Sequence, residues 1–357
     1  MGTRREVLGS LAVGFAASMV QRGVCGAAEA EEVRSGLGLV IYCCSIRQRL
    51  ERGRPGGADL ADPLQFLKHA RRLGAGGIQT PLGARDRQYT ARLRSEAERW
   101  GMFIEAIGRL PSGPADVERF EAEVRTARHC GAQAMRVVML PGRRYEQFTS
   151  MDEYRRAVQR GVRWLELAEP VARRHGVPLA VENHKDQRVE ERLEVLRRIS
   201  SRYVGACVDT GNSFALLEDP LEVVEAYAPW CHSVHLKDQA VQEYEEGFLF
   251  ADVPPGEGFL PLKQMGESLR RARPGIRFCL EIITRDPLEV PCLKEAYWTT
   301  LADVPGRDLA RTLRTIRARA ASGPLPRVSE LALDAQAARE EDNVKRSLRW
   351  ARDELDI

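Results

Sequence analysis

The sequence predicts an α/β protein with the (β/α)8 TIM-barrel fold and a C-terminal helical extension. From residue 37 onward, short apolar runs rich in β-branched residues alternate with longer amphipathic stretches. The short runs are apolar throughout, as expected of parallel strands that are buried on both faces. Eight such units over roughly 250 residues fit a closed barrel better than an open sheet. No G-x-G-x-x-G motif follows the first run, which speaks against a dinucleotide-binding fold.

The strands are predicted from the apolar runs and the helices from the amphipathic stretches between them. The predicted strands are residues 37–44, 77–80, 102–107, 135–140, 178–182, 205–209, 233–236 and 277–283. The predicted helices between them are residues 62–73, 87–100, 115–130, 151–175, 189–200, 221–227 and 262–273.

Helix-boundary signals support these assignments. Asp62-Pro63 and Asp219-Pro220 each place an N-cap acceptor before a first-turn proline. Several predicted helices end in a glycine, the residue favoured just after a helix. These glycines are Gly74, Gly101, Gly131 and Gly176.

The chain after the eighth predicted strand reads as helical. The basic stretch 307–320 is expected to close the barrel as its last helix. A Gly-Pro-Leu-Pro break at 323–326 separates it from a charged helical stretch at 330–356. We therefore assign a barrel domain to residues 37–322 and a helical extension to residues 323–357, which we expect to pack on the barrel or on a second copy in a homo-oligomer.

Residues 1–30 resemble a twin-arginine export signal. Arg4 and Arg5 precede an apolar stretch at 7–20, and small residues from Gly26 to Ala30 suit a cleavage site. The alternative is an irregular N-terminus with chance arginines. We expect an exported, periplasmic protein with no stable membrane insertion once the signal is removed.

Composition narrows the class of protein. The 357-residue chain is 43% hydrophobic and 29% charged, as in soluble globular proteins, and its formal net charge is +3. This charge gives no electrostatic footprint for nucleic acid. The chain has 8 cysteines but no C-x-x-C pair, so we expect mostly free, buried thiols rather than a cysteine-zinc site.

Ionisable residues stand at the C-terminal ends of the last four predicted strands, where barrel active sites are built. They are Glu182, Asp209, His235 and Glu281. Singly, each has an ordinary explanation, such as a solvated loop carboxylate, a hydrogen-bonded core histidine or a turn-forming aspartate. Together, three carboxylates and an imidazole converging on one axis require a cation. Oxygen-rich ligation with one nitrogen suits one divalent ion: Mn, Mg, Co or Zn.

Four motifs carry a resemblance to a known superfamily. Val181-Glu182-Asn183-His184, Val208-Asp209-Thr210-Gly211-Asn212, Val234-His235-Leu236-Lys237-Asp238 and Leu280-Glu281-Ile282 resemble those of xylose isomerase-like barrels. That superfamily contains sugar isomerases, sugar 3-epimerases, dehydratases and endonuclease IV-type enzymes. The resemblance implies that Glu182, Asp209, His235 and Glu281 bind one divalent metal, and that the two glutamates serve as acid and base.

Two departures from the epimerase branch accompany the resemblance. Asn212 stands where many epimerases have a histidine. The segment 240–261, between His235 and Glu281, is long and contains aromatic residues and two prolines, so we predict an extended loop that acts as a lid.

Neighbouring residues supply further candidates. Residues two apart in a strand share a face, so His184 and Lys237 should lie beside the ligands, nearer the mouth of the barrel. We predict His184 as a substrate-contacting acid or base and Lys237 as a group that stabilises an enolate oxygen. Alternatively, His184 supports the site indirectly or lies in a loop, and Lys237 pairs with Asp238 or Asp186. His232 is expected to be structural. Weaker candidates are Gln79, Glu105 and Arg136.

These residues predict an enzyme acting on a sugar or keto-sugar. In this hypothesis, the metal polarises adjacent oxygens, Glu281 or Glu182 removes a proton, and a metal-stabilised enediolate is reprotonated to isomerise or epimerise the substrate. A lyase, either dehydratase or decarboxylase, would use the same constellation. An exported, non-catalytic sugar-binding barrel is a further alternative. A metal-dependent phosphodiesterase usually needs more histidines than the 6 present.

Overall fold

Eight parallel strands close into a barrel in the computed structural model, which describes residues 35–357. Neighbours follow the chain order around the barrel, and the last strand pairs with the first. The predicted fold class is confirmed. The predicted export signal lies outside the described residues. The barrel strands are β1 Gly38–Val40, β2 Gly77–Pro81, β3 Phe103–Ile107, β4 Met135–Val137, β5 Leu179–Glu182, β6 Val204–Asp209, β7 Cys231–Leu236 and β10 Phe278–Leu280.

Helices surround the barrel. Asp62, Asp86 and Asp219 each cap a helix through the side chain, which accepts a backbone N–H of the first turn. The helices are α1 Ser45–Arg52, α2 Pro63–Arg72, α3 Arg87–Arg99, α4 Val117–His129, α5 Arg144–Gln147, α6 Met151–His175, α7 Val189–Ile199, α8 Pro220–Tyr227, α9 Leu262–Ala272, α10 Gly306–Arg319 and α11 Leu333–Leu355.

Three predicted strands continue for three or four residues beyond the C-terminal end of the observed strand. The run 37–44 becomes strand only to Val40, and Ile41–Cys44 forms a 3-10 turn; the runs 135–140 and 277–283 likewise end early as β4 and β10. Hydrophobicity did not mark these ends because the segments that follow are also buried, including Ile41, Cys43 and Cys44. Apolar periodicity alone cannot distinguish a buried strand from a buried turn.

The predicted lid loop at 240–261 is mostly a β-hairpin. Strands β8 (Asp238–Tyr244) and β9 (Gly247–Val253) pair antiparallel, and β11 (Leu288–Val290) adds a third strand. Phe248 and Phe250 are buried in a second hydrophobic cluster, which also contains Phe214 and Tyr297. The loop prediction was wrong because these aromatics form the core of a small sheet.

Helix α11 packs on the barrel, one of the two places expected for it, whereas α10 does not close the barrel. Helix α10 packs on the hairpin sheet: Ile316 belongs to the second cluster, and Arg317 pairs with Glu243. Helix α11 instead contributes to the main barrel core through residues such as Val344 and Leu348. It also contacts α1 and α9, the first and last helices of the ring. The expectation that 307–320 closes the barrel was therefore wrong, because α11 fills that place.

Within the described part of the chain, no helix combines the length and apolar character needed to cross a bilayer. The cysteines of this part are all buried and free of disulfides, as predicted.

Candidate metal centre

The four predicted ligands meet at one end of the barrel. Glu182 and Asp209 are the last residues of β5 and β6, His235 lies in β7, and Glu281 directly follows β10. Each offers a ligand atom, and these atoms all lie within 4.8 Å of one another. The strand register explains the convergence, because Asp209 pairs with His235 in β6–β7 and Cys279 pairs with His235 in β7–β10.

His235 Nδ1 faces all three carboxylates. It lies 3.5 Å from Glu281 Oε2, 3.7 Å from Glu182 Oε1 and 4.0 Å from Asp209 Oδ2. Among the described residues, His235 Nδ1 is buried and has no hydrogen-bond partner. Unsatisfied buried polar atoms are unusual unless an ion or water completes them. This buried cluster of three carboxylates and an imidazole can hold a metal ion.

Gln79 orients the histidine from behind. His235 Nε2 lies 2.8 Å from Gln79 Oε1, and Gln79 Nε2 donates to Glu105 Oε2 at 2.9 Å. Ser233 Oγ also donates to that Glu105 oxygen. With Nε2 protonated towards Gln79, Nδ1 presents its lone pair to the cluster, as metal-bound histidines commonly do. Gln79 and Glu105 thus support the centre from below rather than line the cavity.

Basic side chains neutralise the carboxylates. Arg136 forms a buried ion pair with Glu182, and Lys237 Nζ lies 2.6 Å from Glu281 Oε2 and 3.1 Å from Asp209 Oδ2. Burial alone raises the pKa of each glutamate, but Arg136 and Lys237 outweigh it, so that the pKa values of Glu182 and Glu281 lie below their usual value. Both glutamates are therefore ionised and able to accept a proton or bind a cation.

Lys185 and Asn212 were not predicted as functional residues, although both belong to the quoted motifs or follow one directly. Asn212 Nδ2 donates to Glu182 Oε1 at 3.2 Å, and Asn212 Oδ1 accepts from the Lys185 ammonium group. Burial, reinforced by Lys237, lowers the pKa of Lys185 to about 8. A sequence signal existed, because Lys185 is three residues after Glu182 on the same strand-end loop, but such a loop gives no side-chain direction.

A cavity of about 450 Å³ opens above the centre. Glu281 and Lys237 are at its floor, and Tyr42, Arg143, Lys185 and Arg285 are among its walls. His184 also lines it and hydrogen-bonds the Gly142 carbonyl through Nδ1 at 3.1 Å. The structure thus places His184 in the cavity wall but outside the four-residue cluster, whereas His232 belongs to neither. A larger surface depression, lined by Arg188, Glu218 and Asp308, lies elsewhere and contains none of the predicted site residues.

A closed barrel with a polar centre at the C-terminal ends of its strands is the architecture of barrel enzymes. Residues 67–304 match the model of the Xylose isomerase-like TIM barrel family. The chain belongs to this family, which confirms the resemblance seen in the motifs.

The individual relatives share only low sequence identity with this chain. A curated 3-oxo-isoapionate decarboxylase from Pectobacterium atrosepticum is 29% identical over 134 residues, which is 36% of this chain and 49% of the relative. The match thus spans about half the length of that relative. A solved D-psicose 3-epimerase has a TM-score of 0.54 at 14% identity, covering 88% of this chain and 97% of that structure.

A Xylose isomerase-like TIM barrel protein from Mycobacterium smegmatis, solved in complex with magnesium, has a TM-score of 0.50 at 17% identity. The likeness covers 78% of this chain and 98% of that structure. At these identities, the solved structures establish the shared fold.

Proposed function

We propose that this protein is a divalent-metal-dependent isomerase or epimerase acting on a sugar or keto-sugar. The observation that carries the proposal is the buried cluster of Glu182, Asp209, His235 and Glu281 beneath a cavity of about 450 Å³. Membership of the Xylose isomerase-like family supports it, as does the fold shared with a D-psicose 3-epimerase. The donor set favours Mn, Mg, Co or Zn.

A divalent ion held by these four residues would act as a Lewis acid on neighbouring substrate oxygens and so acidify the adjacent C–H bond. The remaining work falls to the side chains. Glu281 accepts the proton from carbon, and the bonding electrons move to the carbonyl oxygen. Lys237, 2.6 Å from Glu281 Oε2, donates a hydrogen bond to the oxyanion that develops. Returning the proton to the adjacent carbon, while the hydroxyl proton of the first carbon passes to the former carbonyl oxygen, isomerises the sugar.

Epimerisation requires proton return on the opposite face of the same carbon, and Glu182 is the second carboxylate available for it. Because Glu182 is ionised beforehand, it first takes a proton from solvent and passes it to carbon, and Glu281 releases its own proton to solvent. Arg136 holds Glu182 in place through their buried ion pair, and Asn212 donates to its other oxygen. Geometry of this kind fixes the two carboxylates relative to one substrate carbon. His184, in the cavity wall, is proposed to contact a substrate hydroxyl.

A decarboxylase is the second candidate function. It is favoured by the curated 3-oxo-isoapionate decarboxylase relative and by the basic side chains that line the cavity. Loss of carbon dioxide leaves its electron pair as an enolate, which Lys237 would stabilise as before, and a proton then adds to the carbon. No base is needed to begin this reaction.

Solvent exchange tests the proposal. Metal-loaded protein incubated in deuterated water with a panel of keto-sugars and keto-sugar acids should place deuterium at the carbon next to the carbonyl of the accepted substrate and yield an isomer or epimer. In Glu281→Gln, the rate of this exchange should fall by roughly a hundredfold or more, as expected for loss of a general base. Glu190→Gln, a matched change on the exposed side of α7, should exchange like wild type. Release of carbon dioxide from a keto-sugar acid, with no deuterium in the unreacted acid, would instead identify the decarboxylase.

We further propose export through the arginine pair of the N-terminal segment. The paired arginines, the apolar stretch that follows them and the small residues after it support export to the periplasm. Cell fractionation of the full chain should find the mature protein in the periplasm, whereas the double variant Arg4→Lys, Arg5→Lys should accumulate inside with its N-terminus intact. Equal distribution of both proteins would contradict the proposal.

A further inference from the structure

The cavity above the candidate metal centre contains a buried cation without a countercharge. Lys185 is 3% exposed, and its ammonium group contacts only the amide oxygen of Asn212. Among residues 35–357, no carboxylate lies within 4.0 Å of Lys185 Nζ. An unpaired buried charge is costly and normally acquires a partner. Asp252 and Asp209 act on Lys185 only from a greater distance, so no carboxylate is in direct contact with its ammonium group.

The other basic residues of the cavity are already paired. Arg136 pairs with Glu182, Arg143 with Glu146, Lys237 with Asp209 and Glu281, and Arg285 Nη2 lies 3.5 Å from Asp252 Oδ2. Arg285 is a partial exception, since about a third of its side chain is exposed to the cavity mouth. Its remaining guanidinium donors can serve a ligand.

With His235 neutral, as a metal ligand must be, the charges of the cavity and its floor balance before the charge of the metal is added. The five basic side chains are Arg136, Arg143, Lys185, Lys237 and Arg285. The five carboxylates are Glu146, Glu182, Asp209, Asp252 and Glu281. Binding of a divalent cation would leave an excess of two positive charges in a confined space. A neutral sugar compensates neither this excess nor Lys185.

We infer that the substrate carries a carboxylate, and that Lys185 together with Arg285 binds it. The substrate class is then a sugar acid or keto-sugar acid rather than a neutral sugar. This inference rests on the proposed function for the reacting centre but concerns a different part of the molecule. A phosphate is disfavoured because phosphate sites commonly use backbone N–H groups at a helix start. The residues that line this cavity include none that begins a helix longer than the four-residue α5.

Lys185 fixes the carboxylate at a defined place relative to the centre. Its ammonium group and that of Lys237 both reach Asn212 Oδ1, the latter at 3.5 Å. A carboxylate on Lys185 therefore lies within one small molecule's length of the floor at Glu281. Phe250, whose ring centroid is 6.0 Å from Lys185 Nζ, shields this side from water, which strengthens the charge interaction.

Binding of matched probes tests the inference without turnover. Full-chain, metal-loaded protein is titrated by calorimetry with D-gluconate, D-glucitol and D-glucitol 6-phosphate, which share a six-carbon chain but differ in charge. Gluconate should bind at least roughly tenfold more tightly than glucitol, since a charged hydrogen bond of ~1.5 kcal/mol corresponds to that factor. Tighter binding of the phosphate than of gluconate would overturn the carboxylate assignment.

Lys185→Met removes the charge at nearly constant length, and Lys68→Met is its control, because Lys68 is exposed on α2. Lys185→Met should fold and melt no lower than wild type, since it removes an unpaired buried charge, and it should lose the preference for gluconate over glucitol. Lys68→Met should keep that preference. Equal preference in wild type and Lys185→Met would overturn the role of Lys185.

The inference and the proposed function fail differently. In one outcome, wild type and Lys185→Met both catalyse deuterium exchange into keto-sugars, and wild type binds gluconate no more tightly than glucitol. The inference is then wrong, and the proposed function stands. If wild type exchanges no substrate yet binds gluconate through Lys185, the anion site stands and the isomerase proposal is wrong.

Discussion

At the scale of single residues, metal binding at the candidate centre depends on which ring nitrogen of His235 is free to act as a ligand. Gln79 accepts from Nε2 and so leaves Nδ1 unpartnered beside three carboxylates. Gln79 is itself held by Glu105, a fully buried carboxyl whose pKa burial raises. The imidazole is thus fixed by a chain of hydrogen bonds that never touches the cavity.

Breaking this chain should weaken metal binding without removing a ligand. Gln79→Met keeps the volume but leaves His235 Nε2 without an acceptor, so we predict roughly tenfold to hundredfold lower affinity for the metal. Chelator competition on the folded protein measures this affinity. Gln65→Met, on the exposed face of α2, is the control. Unchanged affinity in Gln79→Met would show that the histidine orients itself.

The sequence predicted the four-residue cluster and named Lys237, Arg136, Gln79 and Glu105 as candidates, but it did not predict the contacts among them. Glu182, Asp209, His235 and Glu281 could be recognised because each follows an apolar run at the same end of a predicted strand. Asn212 and Lys185 lie in loops, whose backbone path sets side-chain direction, and periodicity carries no information about that path. Gln79 and Glu105 could be placed on strands but not distinguished from ordinary core polar residues.

The hairpin sheet is the element that sequence reasoning missed. Its aromatics alternate along β9, with Phe248 and Phe250 buried and Leu249 on the other face. Alternation of this kind indicates a strand with one buried face. The strands of the barrel are apolar throughout. Because strands were predicted from continuous apolar runs, the alternating pattern of β9 was not recognised as a strand.

Deleting a core ring should destabilise this sheet. Phe248 contacts Phe214 and Phe250 edge-on, so Phe248→Ala should lower the free energy of unfolding by about 3–5 kcal/mol. Leu249 is the neighbour of Phe248 on the half-buried face, so Leu249→Ala should lower the free energy of unfolding much less. Chemical denaturation with hydrogen exchange of residues 238–253 measures both. Similar effects of the two changes would contradict the two-faced sheet.

Helix α11 supplies an N-cap for a distant helix. Glu340 accepts the backbone N–H groups of Ile46 and Arg47 in the first turn of α1, each at 2.8 Å. Burial raises the pKa of Glu340 to about 7, from the usual 4.5. Between these values, the folded protein binds more protons here than the unfolded chain, so this group makes stability fall as pH rises.

Glu340→Gln should remove that contribution. The free energy of unfolding of wild type, minus that of Glu340→Gln, should therefore decrease from pH 4.5 to pH 7 in denaturation curves. Glu341→Gln is the control, because Lys345 lowers the pKa of Glu341, and its difference should not decrease over this range. A flat difference for Glu340→Gln would show that its pKa is the same in both states.

At the scale of the whole described chain, residues 35–357, the ring of helices around the barrel is completed by α11. This helix was predicted as an extension that packs on the barrel or on a second copy, and the structure places it in the main core, where Ser35 Oγ also donates to the Ile357 carbonyl. A sequence pattern shows that a helix exists, whereas the choice between two successive helices for one place is made by packing. The eightfold repeat could be predicted, but the identity of its final helix could not.

If α11 closes the ring of helices, substitutions along this helix should lower the free energy of unfolding by amounts that depend on how deeply each residue is buried. Leu348→Ala, 4% exposed in the main core, should cost about 2–5 kcal/mol of unfolding free energy. Leu333→Ala, at the exposed start of the same helix, should cost less than about 0.5 kcal/mol. Equal, small losses would mean that the barrel is stable without α11.

The central claim is that Glu182, Asp209, His235 and Glu281 bind one divalent metal. Elemental mass spectrometry of the protein, purified without chelators, tests it most directly, with wild type measured beside His235→Ala and Glu281→Ala. We predict near-stoichiometric Mn, Mg, Co or Zn in wild type and a large loss in both variants that retain the folded circular dichroism spectrum. Wild type that is free of metal even after incubation with these ions, with no change in either variant, would contradict the claim and favour a non-catalytic sugar-binding barrel.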